Sequence, residues 1–331
     1  VRCHPAVSLD ECERVRGSWF YDATRQQLYV HCYDDGNPSK GEHGIEVGRQ
    51  NDGVVRVVGS GATLQAPSGL WHFQWPARAS DALAIMPGAT DVIVRQFRAH
   101  DTALQISGTN GLIEDGLITH RWGRNTSTPT DDQAWVTGAQ GGACFGRGQS
   151  RGNVFRRVHV RACFNGFNEG GASNRYEDCT LWGAPNHGFA LSNGPTSTTL
   201  VRVLVGNTQE SLWTESGTMV YTLDACIFTR GITGGVGTVQ HHATIRRSLL
   251  RTINFGQQIP IGFLSDDNVF LTAPGRPLYS NWGSAAGDYA TLDAVRAATG
   301  QELRSVVLPW EIEPALRPLN FDSVPYRGDD Q

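Results

Sequence analysis

A repeat of about twenty-two residues runs through most of the chain and leaves it few folds to choose from. The segments DVIVRQF, NGLIEDGLI, GNVFRRVHV, SNRYEDCTL, TTLVRVLV, YTLDACIF, ATIRRSLL and DNVFL carry apolar anchors at Val94, Ile113, Phe155, Tyr176, Leu200, Leu223, Ile245 and Val269. Successive anchors stand 19, 42, 21, 24, 23, 22 and 24 residues apart. Each segment alternates apolar and polar residues, which is the period of a strand with one buried face. Asn110, Asn153, Asn174 and Asn268 precede four of them, and asparagine suits a tight corner. A second ladder follows about eleven residues later. Its inward positions read Leu83, Leu104, Cys144, Phe167, Phe189, Leu212, Ile232 and Phe263. Two or three short strands per repeat, without heptads or helical periodicity, predict a coil of parallel strands whose like positions form straight columns. The fold expected is all-β, a right-handed parallel β-helix.

The double interval after Ile113 reads as an insertion at about 123–142, since GRNTSTPTDDQAWVTGAQGG is polar, Gly-rich and unlike a rung. One domain is expected over 1–331. Its N-terminal lead-in spans 1–53 with a hairpin over 17–31, its rungs span 54–283, and a cap and tail span 284–331. In the cap, DYATLDAVRAATG predicts a short helix with Asp288 as N-cap candidate, apolar Leu292 and Val295, and Gly300 as its stop. The Pro-rich stretch after it is expected to run back along the coil.

Composition narrows the function classes. A formal charge of -4 carries no basic footprint for nucleic acid, and no window of eighteen apolar residues offers a membrane span. Lys40 is the single lysine, so a lysine base is available nowhere else. Of seven cysteines, Cys3, Cys12 and Cys32 are candidates for one disulfide. Cys179 and Cys226 occupy the same place two rungs apart, which is too far to be bonded to each other.

The rung pattern, the run SWFYDATRQQLYV followed by DGNP, and the closing run ATLDAVRAATGQELRSVV together resemble the pectate-lyase-like right-handed parallel β-helix proteins, above all bacterial exported ones. Glu302 stands where an aspartate is expected in that closing run. The resemblance implies a secreted protein, extracellular or periplasmic, acting on a polysaccharide or oligosaccharide as a monomer. The fold hosts lyases, hydrolases, epimerases, adhesins and phage tail proteins, so function must be read from a site. The mannuronan epimerases of the fold carry a DPH motif, and the nearest stretch here, APNHG, lacks the aspartate.

Ahead of the second ladder stand Asn165, His187, Glu210 and Arg230, separated by 22, 23 and 20 residues. Even stacking places His187 and Arg230 about 5 Å either side of Glu210. Further outward positions are Asn168, Arg147, Trp213 and Glu215, with Trp213 a candidate platform for a sugar ring. For a lyase cleaving a uronic-acid glycan by β-elimination, His187 is the base, Arg230 or Arg147 neutralises the carboxylate, and Asn165 or Asn168 supplies an amide. For a glycoside hydrolase, Glu210 needs a second carboxylate, for which Glu169, Asp131 or Asp132 are the candidates. His120 beside the insertion, with Asp131, Asp132 and Trp135 inside it, would form a groove wall. Glu114/Asp115 and Glu177/Asp178 recur in the same place of two rungs and read as rung surface. Calcium is a candidate cofactor, with the doublets Asp34/Asp35 and Asp266/Asp267 as donors that lack further ligands at loop spacing. A non-catalytic glycan-binding module is the competing class, and a structural spacer a third.

Overall fold

The structure is a computed structural model and describes residues 4–16, 18–22, 24–25, 27–31, 55–65, 71–74, 83–100, 104–119, 142–146, 150–161, 163, 165–191, 196–215, 217–234, 239–256, 261–272, 275–282 and 287–309. It is a parallel β-helix built from three stacked sheets. In the first sheet Val94, Ile113, Phe155, Tyr176, Leu200, Leu223 and Ile245 stand in one register column. The column continues to Ser265. Val269 is therefore displaced from its expected place: it pairs with Leu249 in the second sheet. The apolar pattern of DNVFL misled because Ser265 takes the first-sheet position and is satisfied by polar partners inside.

The third sheet stacks Leu83, Leu104, Cys144, Phe167, Phe189, Leu212, Ile232, Ile253 and Tyr279. Ile253 thus replaces the expected Phe263, which is buried elsewhere in the core. Aromatic rings stack in both columns, Phe155 on Tyr176 at 4.5 Å and Phe167 on Phe189 at 4.7 Å. Burial of each such ring contributes about 1.5–3 kcal/mol. Leu112 pairs directly with Val154 in the first sheet, so the long interval holds no hidden rung.

Between the first and second sheets the chain turns at one residue of left-handed backbone in every rung. These are Gln96, Asp115, Arg157, Asp178, Arg202, Ala225, Arg247 and Asp267, with φ between 51° and 65°. Their side chains and their neighbours' form ion pairs down the outside: Arg95 with Glu114 at 2.6 Å, Arg157 with Asp115 at 2.6 Å, Arg156 with Glu177 at 3.0 Å and Arg202 with Asp178 at 2.6 Å. Hydrogen bonds from Arg157 and Arg202 hold the carboxyls of Asp115 and Asp178 below the usual aspartate range. Of the recurring acids expected on the rung surface, Asp115 is exposed and Glu177 and Asp178 are half-buried, whereas Glu114 is buried beneath Arg95, Arg156 and Arg157.

The asparagines divide. Asn110 takes the left-handed corner, with φ 56°. Asn153 and Asn174 turn inward and stack as amides: Gly111 N donates to Asn153 Oδ1 at 2.7 Å, and Asn153 N to Asn174 Oδ1 at 2.9 Å. Cys179 and Cys226 are separate buried thiols with Val203 between their rungs. Burial pushes the Cys179 thiol up to about 12 and that of Cys226 up to about 11. Cys12 is buried with its Sγ 3.7 Å from Tyr29 O; Cys3 and Cys32, the other candidates for the expected disulfide, lie outside the described residues.

At the N-terminal end Ser18–Asp22 and Gln27–His31 form the expected antiparallel hairpin. At the other end the helix Leu292–Thr299 is capped by Thr291, whose hydroxyl accepts from Ala294 N, and stopped by Gly300 at φ 69°. Asp288 is not the cap. It lies on the strand Gly287–Tyr289, which pairs antiparallel with Tyr279–Trp282. The strand Val306–Pro309 adds a last parallel strand beside Val269–Thr272, and the rest of the Pro-rich stretch expected to run back along the coil lies outside the described residues. No helix among the described residues is long and apolar enough to cross a membrane.

Candidate functional site

His187 and Glu210 face each other across neighbouring rungs because of a local irregularity. Ala184 pairs with Thr208 and His187 with Glu210, so the earlier strand carries one extra residue between them. A bulge of this kind re-aims the side chain that follows it. Gly188 lets the two strands close up at this point. A Cβ there would meet Val205 Cγ1 at 2.4 Å and Ser211 O at 2.7 Å. His187 Nδ1 lies 3.0 Å from Glu210 Oε2, with the side chains 17% and 15% exposed. A carboxylate only accepts, so Nδ1 carries the proton and Nε2 keeps a lone pair in the neutral imidazole.

Two further groups fix the ring. Asn165 Oδ1 accepts from His187 N at 3.3 Å and from Asn186 Nδ2 at 2.8 Å. The indole of Trp213 stacks on the imidazole, with centroids 4.9 Å apart and planes 15° apart. The expected sugar platform thus spends one ring face on His187. Ala190, opposite Trp213 in register, is small enough to leave that space.

Glu210 and Arg230 line one groove of about 690 Å³ on the outside of the third sheet. Arg230 Nε donates to Thr208 O at 3.3 Å and its backbone N to Ser211 Oγ at 3.1 Å. Beyond Arg230 the groove is lined by Arg251, Asn254, Arg276, Asn281 and Asp288. None of these five was expected from the sequence. The signal existed: Ile232, Ile253 and Tyr279 share a column, which places Arg251 directly after Arg230. Misplacing the last two anchors at Phe263 and Val269 hid that continuation.

Other expected members separate. Glu169 is fully buried and points into the core, where Tyr176 Oη donates to it at 2.7 Å, Asn174 Nδ2 at 3.0 Å and Gly171 N at 2.6 Å. Desolvation pushes its carboxyl above the usual glutamate range. It also lies two rungs from the strand of Glu210, in register with Leu191 and then Thr214, not one rung away. The expected pairing of Glu169 with Glu210 therefore does not form. The parity of the strand decides this, since Glu169 stands two residues after the inward Phe167 and shares its side of the strand.

Asn168 shares the outward column of Ala190 and Trp213, and its Oδ1 has no partner among the described residues. Glu215 is exposed just past the strand Leu204–Thr214. His120, Asp131, Asp132, Trp135 and Arg147 lie outside the described residues, as do Asp34 and Asp35. Asp266 and Asp267 are engaged by Arg304, at 3.1 Å and 3.7 Å. No group of three histidine, cysteine or acidic side chains among the described residues is placed to hold a metal ion.

Comparison of the sequence with protein-family models and with curated proteins gives no match.

Proposed function

We propose that this protein is a polysaccharide lyase that cleaves a uronic-acid-containing glycan by β-elimination, in an exported, extracytoplasmic setting. The observation that carries the reading is the His187–Glu210 pair, whose glutamate lines a groove together with Arg230, Arg251 and Arg276. His187 Nε2 takes the proton next to the sugar carboxylate, and Glu210 stabilises the imidazolium that forms. Arg230 balances the negative charge that develops on the carboxylate as the carbanion delocalises into it. The electron pair left by the proton becomes the new carbon–carbon double bond, and the glycosidic C–O bond breaks. The leaving oxygen takes up a proton, so the products are one new chain end and one unsaturated sugar. Trp213 and Asn165 act on the ring's orientation and do not move protons.

The test is the ultraviolet absorbance of the unsaturated product during incubation with a panel of polyuronates, with added calcium or with chelator. His187→Ala is expected to lower the rate by about 10²–10⁴-fold, with thermal stability close to that of the parent protein. Absorbance that stays flat while reducing ends accumulate would sink the lyase in favour of hydrolysis. Binding without either signal would leave a glycan-binding module.

A further inference from the structure

We infer that the groove recognises three consecutive acidic sugars, one per rung, beginning at the reacting unit and ending before Asp288. This rests on the lyase reading of the groove and specifies its substrate further, by charge spacing and by length. Arg230 and Arg251 occupy the same place of adjacent rungs, since Ile232 pairs with Ile253. The same place one rung on is Pro277, and Arg276 stands immediately before it. All three arginines line the one groove.

Parallel rungs advance by about 4.8 Å, comparable with the length of one pyranose ring in an extended chain. A glycan lying along the axis therefore meets one guanidinium per sugar. A polymer with an acidic group on every second unit sets neutral sugars against one or two of the three guanidiniums and leaves those desolvated without an anion. Hydroxyl partners come from Asn254, Ser280 and Asn281.

The arginine row is bracketed by carboxylates. Glu210 at the near end is engaged by His187. Asp288 at the far end accepts from Asn281 N at 3.2 Å, which holds its charge at the last strand of the sheet. A fourth acidic sugar would meet that carboxylate with no guanidinium to offset it. Affinity for oligouronates should therefore rise through three units and then stop.

Calorimetric titration of the wild-type protein and of His187→Ala with purified oligouronates of two to five units reads this directly. Binding is expected to tighten about tenfold from dimer to trimer and to stay level beyond. Arg276→Gln should reduce trimer affinity to that of the dimer while leaving the dimer unchanged. Asp288→Asn should let the tetramer bind more tightly than the trimer. An oligomer of equal length with alternating acidic and neutral sugars should bind about tenfold more weakly than the oligouronate. Affinity that keeps climbing past three units, equal binding of the alternating oligomer, an unaffected trimer in Arg276→Gln, or no binding at all overturns the inference. Elimination measured in parallel separates the two ideas. Turnover without the plateau at three leaves the lyase and removes the length rule, whereas a plateau without turnover does the reverse.

Discussion

Glu169 and Glu302 are both fully buried, and both gather a tyrosine and an asparagine around one carboxyl group. Around Glu169 the donors are Tyr176, Asn174 and the backbone of Gly171, and Asn174 hands the network on to Ser150 and Asn153. Around Glu302 they are Tyr279, Ser265, Ser305 and Asn268. The chemistry is nearly the same and the position is not. Glu169 lies mid-solenoid, with strands stacked on either side of its own. Glu302 joins the helix and strand of the C-terminal cap to the last rungs, and Arg296 ties the same turn by donating to Glu302 O. The first cluster keeps a corner closed inside a continuous stack, and the second fastens an end. A buried glutamate in this protein is thus not evidence of catalysis; its surroundings decide.

The largest effect should come from Glu169→Ala. It strands three donors where neighbouring rungs keep water out, and should cost about 3–5 kcal/mol in chemical denaturation. Glu302→Ala should cost less, about 2 kcal/mol, because the cap can open locally and hydrate the stranded donors without unstacking the central rungs. Its loss should also be local: hydrogen exchange should speed up over 288–309 while the central rungs keep their protection. Equal protection losses throughout would mean that the two clusters do the same job.

The smallest effect sharpens the comparison through pH. Burial raises the Glu169 carboxyl, so its folded pKa lies above the unfolded one. Its contribution is fully present below the usual glutamate value and is lost as pH rises through the raised value. Thermal melts should show Glu169→Gln removing part of the stability that wild type gains on mild acidification. The lowered aspartates, Asp115 and Asp178, act in the opposite sense and only at lower pH, where protonation breaks their arginine pairs. A wild type and variant with parallel melting profiles across mild acid would remove Glu169 from the account.

Much of this architecture was legible in the repeat. Seven of the eight first-ladder anchors and the column from Asn165 through His187 to Glu210 follow from spacing alone, because stacked parallel strands turn a constant interval into a neighbour. What an apolar repeat could not convey was that polar residues also hold interior places. Glu169 and Asn153 stand two residues from the inward Phe167 and Phe155, so alternation sends them inside, while their polar character reads as surface. The last rungs were misread for a related reason. Ser265 holds an interior place through hydrogen bonds to Glu302 and Asn268, and a search for apolar anchors passes over it. With those rungs out of step, Arg251 and Arg276 fell out of view. The bulge before His187 has no sequence signature beyond the run APNHG, so the contact with Glu210 was expected while the tautomer it fixes was not.

The single left-handed residue between the first and second sheets also sets where this chain can change length. In eight rungs that seam is crossed by one residue, whether it is Gln, Asp, Arg or Ala. An added residue there would turn every following side chain from inside to outside. Past the third sheet the spacing varies freely, with 4 residues between Leu191 and Thr196 and 9 between Asn254 and Leu264. The long interval between Thr119 and Gly142 falls at the other edge of the same sheet, so insertions and deletions should accumulate at the edges of the third sheet, beside the groove, while the charged seam keeps its count. Relatives of this chain would then differ in what their groove admits long before they differ in the coil beneath it.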